Sequence, residues 1–396
     1  MFLQKAGAIK ERLRMSKKAI LIIALSVVSV MILGVGIIFF VSQLNSPEKI
    51  VAQFETAIEE EKPNLLKDLI VPDKSETAVD NQSTAALVAY LKENNHSYQT
   101  IKESLQKQLE KKDYTKTNQP ISLIAGKKKG LKKEYQLLVK TTSIQVTGQH
   151  EDDTVNFNID KSKVNFEENA DGLYGPFLPG TYSIVLSVKN DLGDFTETKK
   201  VDVWGNDVVT YIVDTKSLVK QDEKAKNDIV AAVDTFNYDM SVFETTEFNL
   251  ESFTNLHATD EEMAYSQDLV NSAYMETADY IEEFHSKYNE AVLNLDDFTI
   301  NYFDGKWSAE VTAYVAYSRK LKLIDYPEFE DISYELIREL YLVYSKDEKK
   351  WMIDDFIETD RDTNERENWK ETLRLEGPKD GLKWVRPENS NPATNI

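Results

Sequence analysis

Apolar and polar positions change their spacing several times along this chain, and each change marks a different kind of element. Ala19 to Val41 is an uninterrupted run of 23 apolar and small residues without a charge. Wound as a helix at ~1.5 Å per residue it reaches roughly 34 Å, enough for a hydrocarbon core of about 30 Å. A cleaved signal sequence has a shorter apolar run, about 7–15 residues, and closes on small residues. The run here continues into Val41-Ser42-Gln43-Leu44, which offers no such site. A retained transmembrane helix over 19–41 is therefore expected.

Beyond it the spacing turns helical. Ser46 can cap a helix whose first position is Pro47, with Glu48 favourably placed near the positive end of the dipole. Ile50, Val51, Phe54, Ala57 and Ile58 then share one face. Leu65, Leu66, Leu69 and Ile70 begin a second short helix after Pro63, and Thr84–Lys92 and Tyr98–Gln108 continue the series. After Pro120 the period falls to two. Ile121–Ala125 and Tyr135–Thr142 read as a hairpin around a basic turn, Lys127, Lys128, Lys129, Gly130, Leu131, Lys132 and Lys133.

Alternation persists through Ile144/Val146, Val155/Phe157/Ile159, Tyr182/Ile184/Leu186/Val188 and Val201/Val203, which predicts a small β-sandwich. Within it, Gly172 to Tyr182 carries three Gly and two Pro and forces a fixed bend. Helical spacing returns over Ala225–Phe243. A capping box at Thr259 and Glu262 opens a helix expected to run to about Tyr288. Strand runs follow at Phe298–Phe303, Trp307–Leu323, Tyr334–Tyr344 and Trp351–Ile357. Helices followed by long antiparallel strands predict an α+β unit with helices on one face of a curved sheet.

Charge orients this arrangement. The net formal charge is −21, yet the first 18 residues contribute +5 (Lys5, Lys10, Arg12, Arg14, Lys17 and Lys18 against Glu11), leaving −26 for the rest. Positive residues flank the cytoplasmic side of membrane helices, so the N-terminus is expected inside and the acidic bulk outside. An acidic exterior argues against nucleic acid as a partner. The absence of Cys excludes disulfides, thiolate zinc sites and a cysteine nucleophile.

Candidate chemistry is sparse. Ser46-x-x-Lys49 and Ser217-x-x-Lys220 fit the nucleophile motif of penicillin-recognising enzymes, but the companion S-D-N and K-T-G elements are missing. Asp360-x-Asp362-x-Asn364 with Glu371 imitates a calcium loop, but Glu365 stands where the turn needs Gly. Glu282-x-x-His285 would form half of a helical di-iron site whose other half is absent. No catalytic residue, metal or cofactor is expected, and the chain reads as non-enzymatic. Two binding features remain. Lys127, Lys128, Lys129, Lys132 and Lys133 could meet an anionic polymer, although lysines at a hairpin tip also discourage edge pairing. Phe284, Tyr288, Tyr302, Trp307 and Tyr314 could line a sugar-stacking cleft, although aromatics at such spacing are more often core.

The order of a basic tail, one membrane helix, a Ser-Pro-started helical module, a β-unit and an α+β unit resembles the TcaA family of Gram-positive membrane proteins associated with teicoplanin resistance. The most specific match is Gly175-Pro176-Phe177-Leu178-Pro179-Gly180-Thr181-Tyr182, in which Gly175, Pro176, Pro179, Gly180 and Tyr182 form the structural motif. The β-unit is similar to PEGA-like sandwiches, and the closing strands resemble a nuclear-transport-factor-like cone. Many relatives carry a zinc ribbon before the membrane helix, which a Cys-free chain cannot form.

The resemblance implies a multidomain α+β envelope protein. Its parts are a cytoplasmic tail (1–18), a transmembrane helix (19–41), a helical first extracellular domain closing with a β-hairpin (42–142), a PEGA-like β-sandwich (143–219), a nuclear-transport-factor-like α+β cone (220–358) and a polar tail (359–396). Its expected location is the cell membrane, single-pass, with the bulk extracellular. Expected partners are the bilayer and then peptidoglycan, teichoic acid or an envelope protein. The expected role is in the cell-wall stress or glycopeptide-antibiotic response. Two alternatives stand beside it: a sensor holding a wall fragment or small molecule in the cone, and a wall hydrolase or transferase using dispersed carboxylates.

Overall fold

The computed structural model describes residues 46–126, 134–160 and 172–387. The anchor over 19–41 and the basic turn 127–133 lie outside the described residues. Among the described residues no helix is long and apolar enough to cross a membrane. The chain divides into two compact units. One comprises Met1–Thr147, Phe157–Val185 and Thr198–Tyr211; the other comprises Gly148–Asn156, Leu186–Glu197 and Ile212–Ile396.

The first unit opens with α1 (Pro47–Glu59), capped as its sequence predicts: the Ser46 hydroxyl accepts a hydrogen bond from the Lys49 N–H at 3.3 Å. Its apolar face, Ile50, Val51, Phe54, Ala57 and Ile58, is buried. The run after Pro63 is not a second helix. It is a single 3-10 turn, Pro63–Leu65, followed by strand β1 (Ile70–Pro72). Pairing decides this: Ile70, Val71 and Pro72 lie parallel to Leu137, Leu138 and Val139 and complete a sheet that local spacing could not reveal.

Helices α2 (Asn81–Glu93) and α3 (Asn95–Lys111) follow, then β2 (Ile121–Ala125) and β3 (Tyr135–Val139), giving the sheet order β1-β3-β2. Leu66, Leu87, Leu91, Ile101, Leu105 and Leu137 meet in one core. The fully buried turn side chain Leu178 joins that core. Gln108 is buried there too. It donates to the carbonyls of Asp113, Thr115 and Leu123 and accepts from the Leu123 N–H, so every polar atom of its side chain is used.

Among the described residues between Thr142 and Ile212 run six strands: β4 (Thr142–Thr147), β5 (Thr154–Ile159), β6 (Leu173–Phe177), β7 (Gly180–Asn190), β8 (Gly193–Val203) and β9 (Val208–Ile212). They form two three-stranded sheets, β6-β4-β9 and β5-β7-β8.

In the second unit, α4 (Thr215–Gln221) and α5 (Glu223–Glu244) precede α6 (Asp260–Ala278). A seven-stranded antiparallel sheet then runs β14-β13-β11-β10-β15, with β12 beside β11 and β16 beside β10. Its strands are β10 (Ile281–Phe303), β11 (Lys306–Leu323), β12 (Glu330–Asp331), β13 (Tyr334–Ser345), β14 (Lys350–Thr359), β15 (Thr372–Glu376) and β16 (Leu382–Val385).

The helix expected to continue to Tyr288 stops at Ala278. From Ile281 onward the chain pairs with β11, Tyr288 facing Tyr317 and Phe284 facing Leu321. Partners distant in sequence override a helical local pattern. The described polar residues after 358, up to 387, contribute two strands to the sheet: β15 and β16 both pair with β10. Helix α5 buries Ile229, Val233 and Phe236 against the sheet face bearing Trp307, Val311, Val315 and Leu340.

Candidate functional site

The hydrophobic stripe of α5 contains two polar intruders. Asn237 and Glu244 fall on the face carrying Val233, Phe236 and Met240, and both are buried. The strands supply partners in the same phase. Arg338 replaces an apolar residue in the alternation Leu336, Arg338, Leu340, Leu342, and Arg319 follows Tyr317 in β11. Side chains two apart share one sheet face, so all of these point toward α5.

Arg338 has no exposed surface. One guanidinium nitrogen donates to Asn237 Oδ1 at 2.9 Å and the other to Glu358 Oε1 at 2.6 Å. The Tyr317 hydroxyl donates to the Asn237 backbone carbonyl at 2.9 Å. Aromatic rings of Phe236 and Phe356 flank the cation at 5.6 and 5.4 Å. Arg338 Nε, however, is buried without a hydrogen-bond partner.

Nearby, Arg319 Nε donates to Glu244 Oε2 at 2.8 Å, and a second contact joins Arg319 Nη2 to Glu244 Oε1. Ser286 donates to the same carboxylate at 2.6 Å. The Arg319 guanidinium lies 4.1 Å from the Tyr334 ring, which stacks on Tyr317. Burial pushes the Arg319 guanidinium below its ordinary pKa and the Tyr317 hydroxyl above its own. The result is an ion-paired network of two arginines and two glutamates, in which Arg338 and Glu244 are buried and Arg319 and Glu358 keep some contact with solvent. It shows no nucleophile set beside a base.

A second cluster ties residues 148–156 to the sheet within this unit. The His150 ring stacks on Tyr302 at 4.1 Å and meets the edge of Trp307 at 5.2 Å. Asp153 accepts from the His150 N–H, Thr215 and Asn190. Asp152 accepts from Tyr302 and Lys346. Burial, opposed by Asp153, holds the His150 imidazole below its ordinary pKa.

The five candidate cleft aromatics do not form a cleft. Phe284, Tyr288, Trp307 and Tyr314 are buried, and Tyr302 is held under His150. They are also divided between faces: Tyr288 and Trp307 pack in the core under α5, whereas Tyr314 packs on the other side with Ala316 and Ile337, where Arg366 lies over its ring. Alternation along β11 sends Trp307 and Tyr314, an odd number of positions apart, to opposite faces.

The other sequence candidates are structural. Ser46 and Ser217 are engaged at helix starts: Ser46 is the cap of α1, and Ser217 bonds to Asp214, the cap of α4. Asp362 caps a 3-10 turn. Glu282 and His285 lie on a strand, where His285 contacts Glu283 at 2.6 Å. Among the described residues no group of three His, Asp or Glu side chains could hold a metal. Gly175 and Pro176 lie in β6, Gly180 and Tyr182 in β7, and Pro179 in the turn that joins them. Tyr182, buried, donates to the Leu178 carbonyl at 2.7 Å and closes that turn. Sequence reading passed over Arg319, Arg338, Asn237 and Glu244. Their signal was polarity at positions where the spacing calls for an apolar side chain.

Two family models match the chain. Residues 47–139 match the TcaA protein second domain, and residues 229–357 match the YvbJ NTF2-like domain. The chain is thus a TcaA-like, multidomain α+β protein with an NTF2-like domain, as its motif order implied. Among solved structures, the intermembrane space region of the chloroplast protein ARC6 is 14% identical. That similarity covers 35% of this chain and 96% of that one, at a TM-score of 0.23. No curated protein matches.

Proposed function

We propose that this is a membrane-anchored cell-envelope protein. Residues 19–41 cross the bilayer, the basic tail stays in the cytoplasm, and the acidic modules stand outside. There they engage peptidoglycan, teichoic acid or another envelope protein and shape the response to wall stress and glycopeptide antibiotics. The observation that carries this reading is the joining of a TcaA second domain and a YvbJ NTF2-like domain in one chain. The preceding run of 23 uncharged residues supports it. The role proposed is binding, a reading supported by the commitment of Arg319 to Glu244 and of Arg338 to Glu358.

Deleting the gene should change glycopeptide susceptibility or wall composition under antibiotic stress; a strain unchanged in both would sink the proposal. A second reading, a sensor with its ligand inside the NTF2-like domain, is favoured by the unpartnered buried Nε of Arg338. Binding to the folded state alone raises stability. Muropeptides or glycopeptides should then raise the thermal midpoint of the full-length protein, and that gain should vanish in Arg319→Gln. The hydrolase alternative predicts release of fragments from purified sacculi, and inactivity there removes it.

A further inference from the structure

The outer edge of the NTF2-like domain has a pocket that the envelope reading does not use. A cavity of about 420 Å³ opens between α5, residues 254–255 and the turn joining β13 to β14. Its floor is Ala232, Asn255 and Trp351, all buried, and its rim includes Lys224, Lys349 and Lys350. Tyr344 stands edge-on to Trp351 at 5.6 Å and forms one wall. Three lysines face two carboxylates, Asp228 in the lining and Glu348 beside Lys350, which leaves a net basic site on a strongly acidic chain.

Two details show what the pocket lacks. Asn255 is held at two points. Its side-chain N–H donates to the Ala232 carbonyl at 2.7 Å, and its backbone carbonyl accepts from Ile353 at 2.7 Å. Strand-like pairing continues as the His257 N–H donates to the Ile353 carbonyl. Yet Asn255 Oδ1 is buried with no donor. A buried amide oxygen in that state wants a hydroxyl or N–H.

The second detail is Lys349. Lys224 is paired with Asp228 at 2.7 Å, and Lys350 with Glu348 and the Thr254 carbonyl. For Lys349 no ion pair is found among the described residues. It also occupies the left-handed region at φ 53°, where Gly or Asn would sit with less strain. A long cationic side chain is kept where the backbone favours glycine.

We infer that this pocket binds a small hydroxylated organic anion of the sugar- or polyol-phosphate class. The anion would be met by Lys349 with Lys224 and Lys350, and a ligand hydroxyl would satisfy Asn255 Oδ1 after a small turn of that side chain, since the oxygen itself has almost no accessible surface. This goes beyond the envelope reading and does not rest on it.

The test is calorimetric titration of the purified full-length protein with sn-glycerol 3-phosphate, with glycerol and inorganic phosphate as separate arms. Saturable binding of glycerol 3-phosphate that weakens as salt rises is expected, tighter than either part alone. Lys349→Gly relieves the backbone strain, so its thermal midpoint should hold or rise while binding falls at least fivefold. Lys224→Gln combined with Lys349→Gly should weaken binding further. Absence of binding at millimolar ligand, or affinity unchanged in Lys349→Gly, overturns the site. Phosphate binding as tightly as glycerol 3-phosphate overturns the role of Asn255. No cell enters this experiment, so its outcome is separable from any antibiotic phenotype.

Discussion

Arg338 illustrates how a single residue commits a core to one arrangement. Taking a guanidinium out of water is costly unless its hydrogens find acceptors, and here Asn237 and Glu358 provide them. Arg338→Leu would keep the packing volume but leave Asn237 Oδ1 sharing the single Tyr317 hydroxyl proton with the Asn237 backbone carbonyl. Because Glu358 is half exposed, it can rehydrate, which limits the loss. Equilibrium urea unfolding should show a destabilisation of about 2–3 kcal/mol, the cost of stranding buried polar groups. His150 makes a different prediction. Its imidazole is held below the ordinary value of 6.5, chiefly by burial, so the folded protein prefers the neutral ring. That contribution is complete above the ordinary value and is lost as pH falls through it, because the unfolded chain then binds the proton more readily. Thermal midpoints should therefore drop between pH 7 and pH 5, and His150→Asn should flatten that part of the profile. Neither residue stood out by type: His150 was one scattered histidine of four, and Arg338 one charge within a strand. Their partners are distant in sequence: Arg338 meets Asn237 across 101 positions, and His150 of the β4–β5 segment stacks on Tyr302 of β10.

Elements were legible to the degree that their own residues set them. Helix α1 begins at Pro47 because a serine cap and a proline at the first position need no distant help. The capping box at Thr259 and Glu262 likewise starts α6 where the sequence placed it. Where α6 ends was not legible, since Ile281 to Tyr288 satisfies both helical and alternating patterns until β11 supplies its partner. The turn between β6 and β7 shows the opposite dependence, a local motif with a distant reason. A methyl group added at Gly180 would stand 2.5 Å from the Ala86 carbonyl carbon of α2. The glycine is needed for this close approach of two backbones, and nothing in the turn itself demands it. Gly180→Ala should cost roughly 1–3 kcal/mol, as overpacking does. A lower thermal midpoint in the full-length protein, with the native circular-dichroism spectrum retained at low temperature, would verify this. An unchanged midpoint would mean that α2 yields freely.

For the whole molecule, the order of modules is the informative quantity. The proposed anchor makes a direct prediction: the full-length chain should sediment with membranes and resist extraction by alkaline carbonate, and a chain lacking residues 1–42 should become soluble. Release of the full-length chain by carbonate would refute the anchor. The net charge of −21 hides a +5 tail and a −26 remainder, and this asymmetry is a property of composition along the chain that needs no fold to read. In the same way, the uncharged run, the switch from helical to alternating spacing, the Gly-Pro motif and the α+β character of the last module depend on neighbours in sequence. Sequence by itself was therefore sufficient for the class of protein and for the elements that their own residues set, but not for β1, the end of α6, or β15 and β16, which distant partners decide. The tertiary structure alone decided which aromatics are core and which polar groups meet. It buried Trp307 and Tyr314 on opposite faces of one strand, brought Asn237, Arg338 and Glu358 into contact, and left the oxygen of Asn255 without a donor beside three lysines. Such pairings are long-range. A one-dimensional pattern records the face on which a side chain lies, and only folding brings the partner to that face.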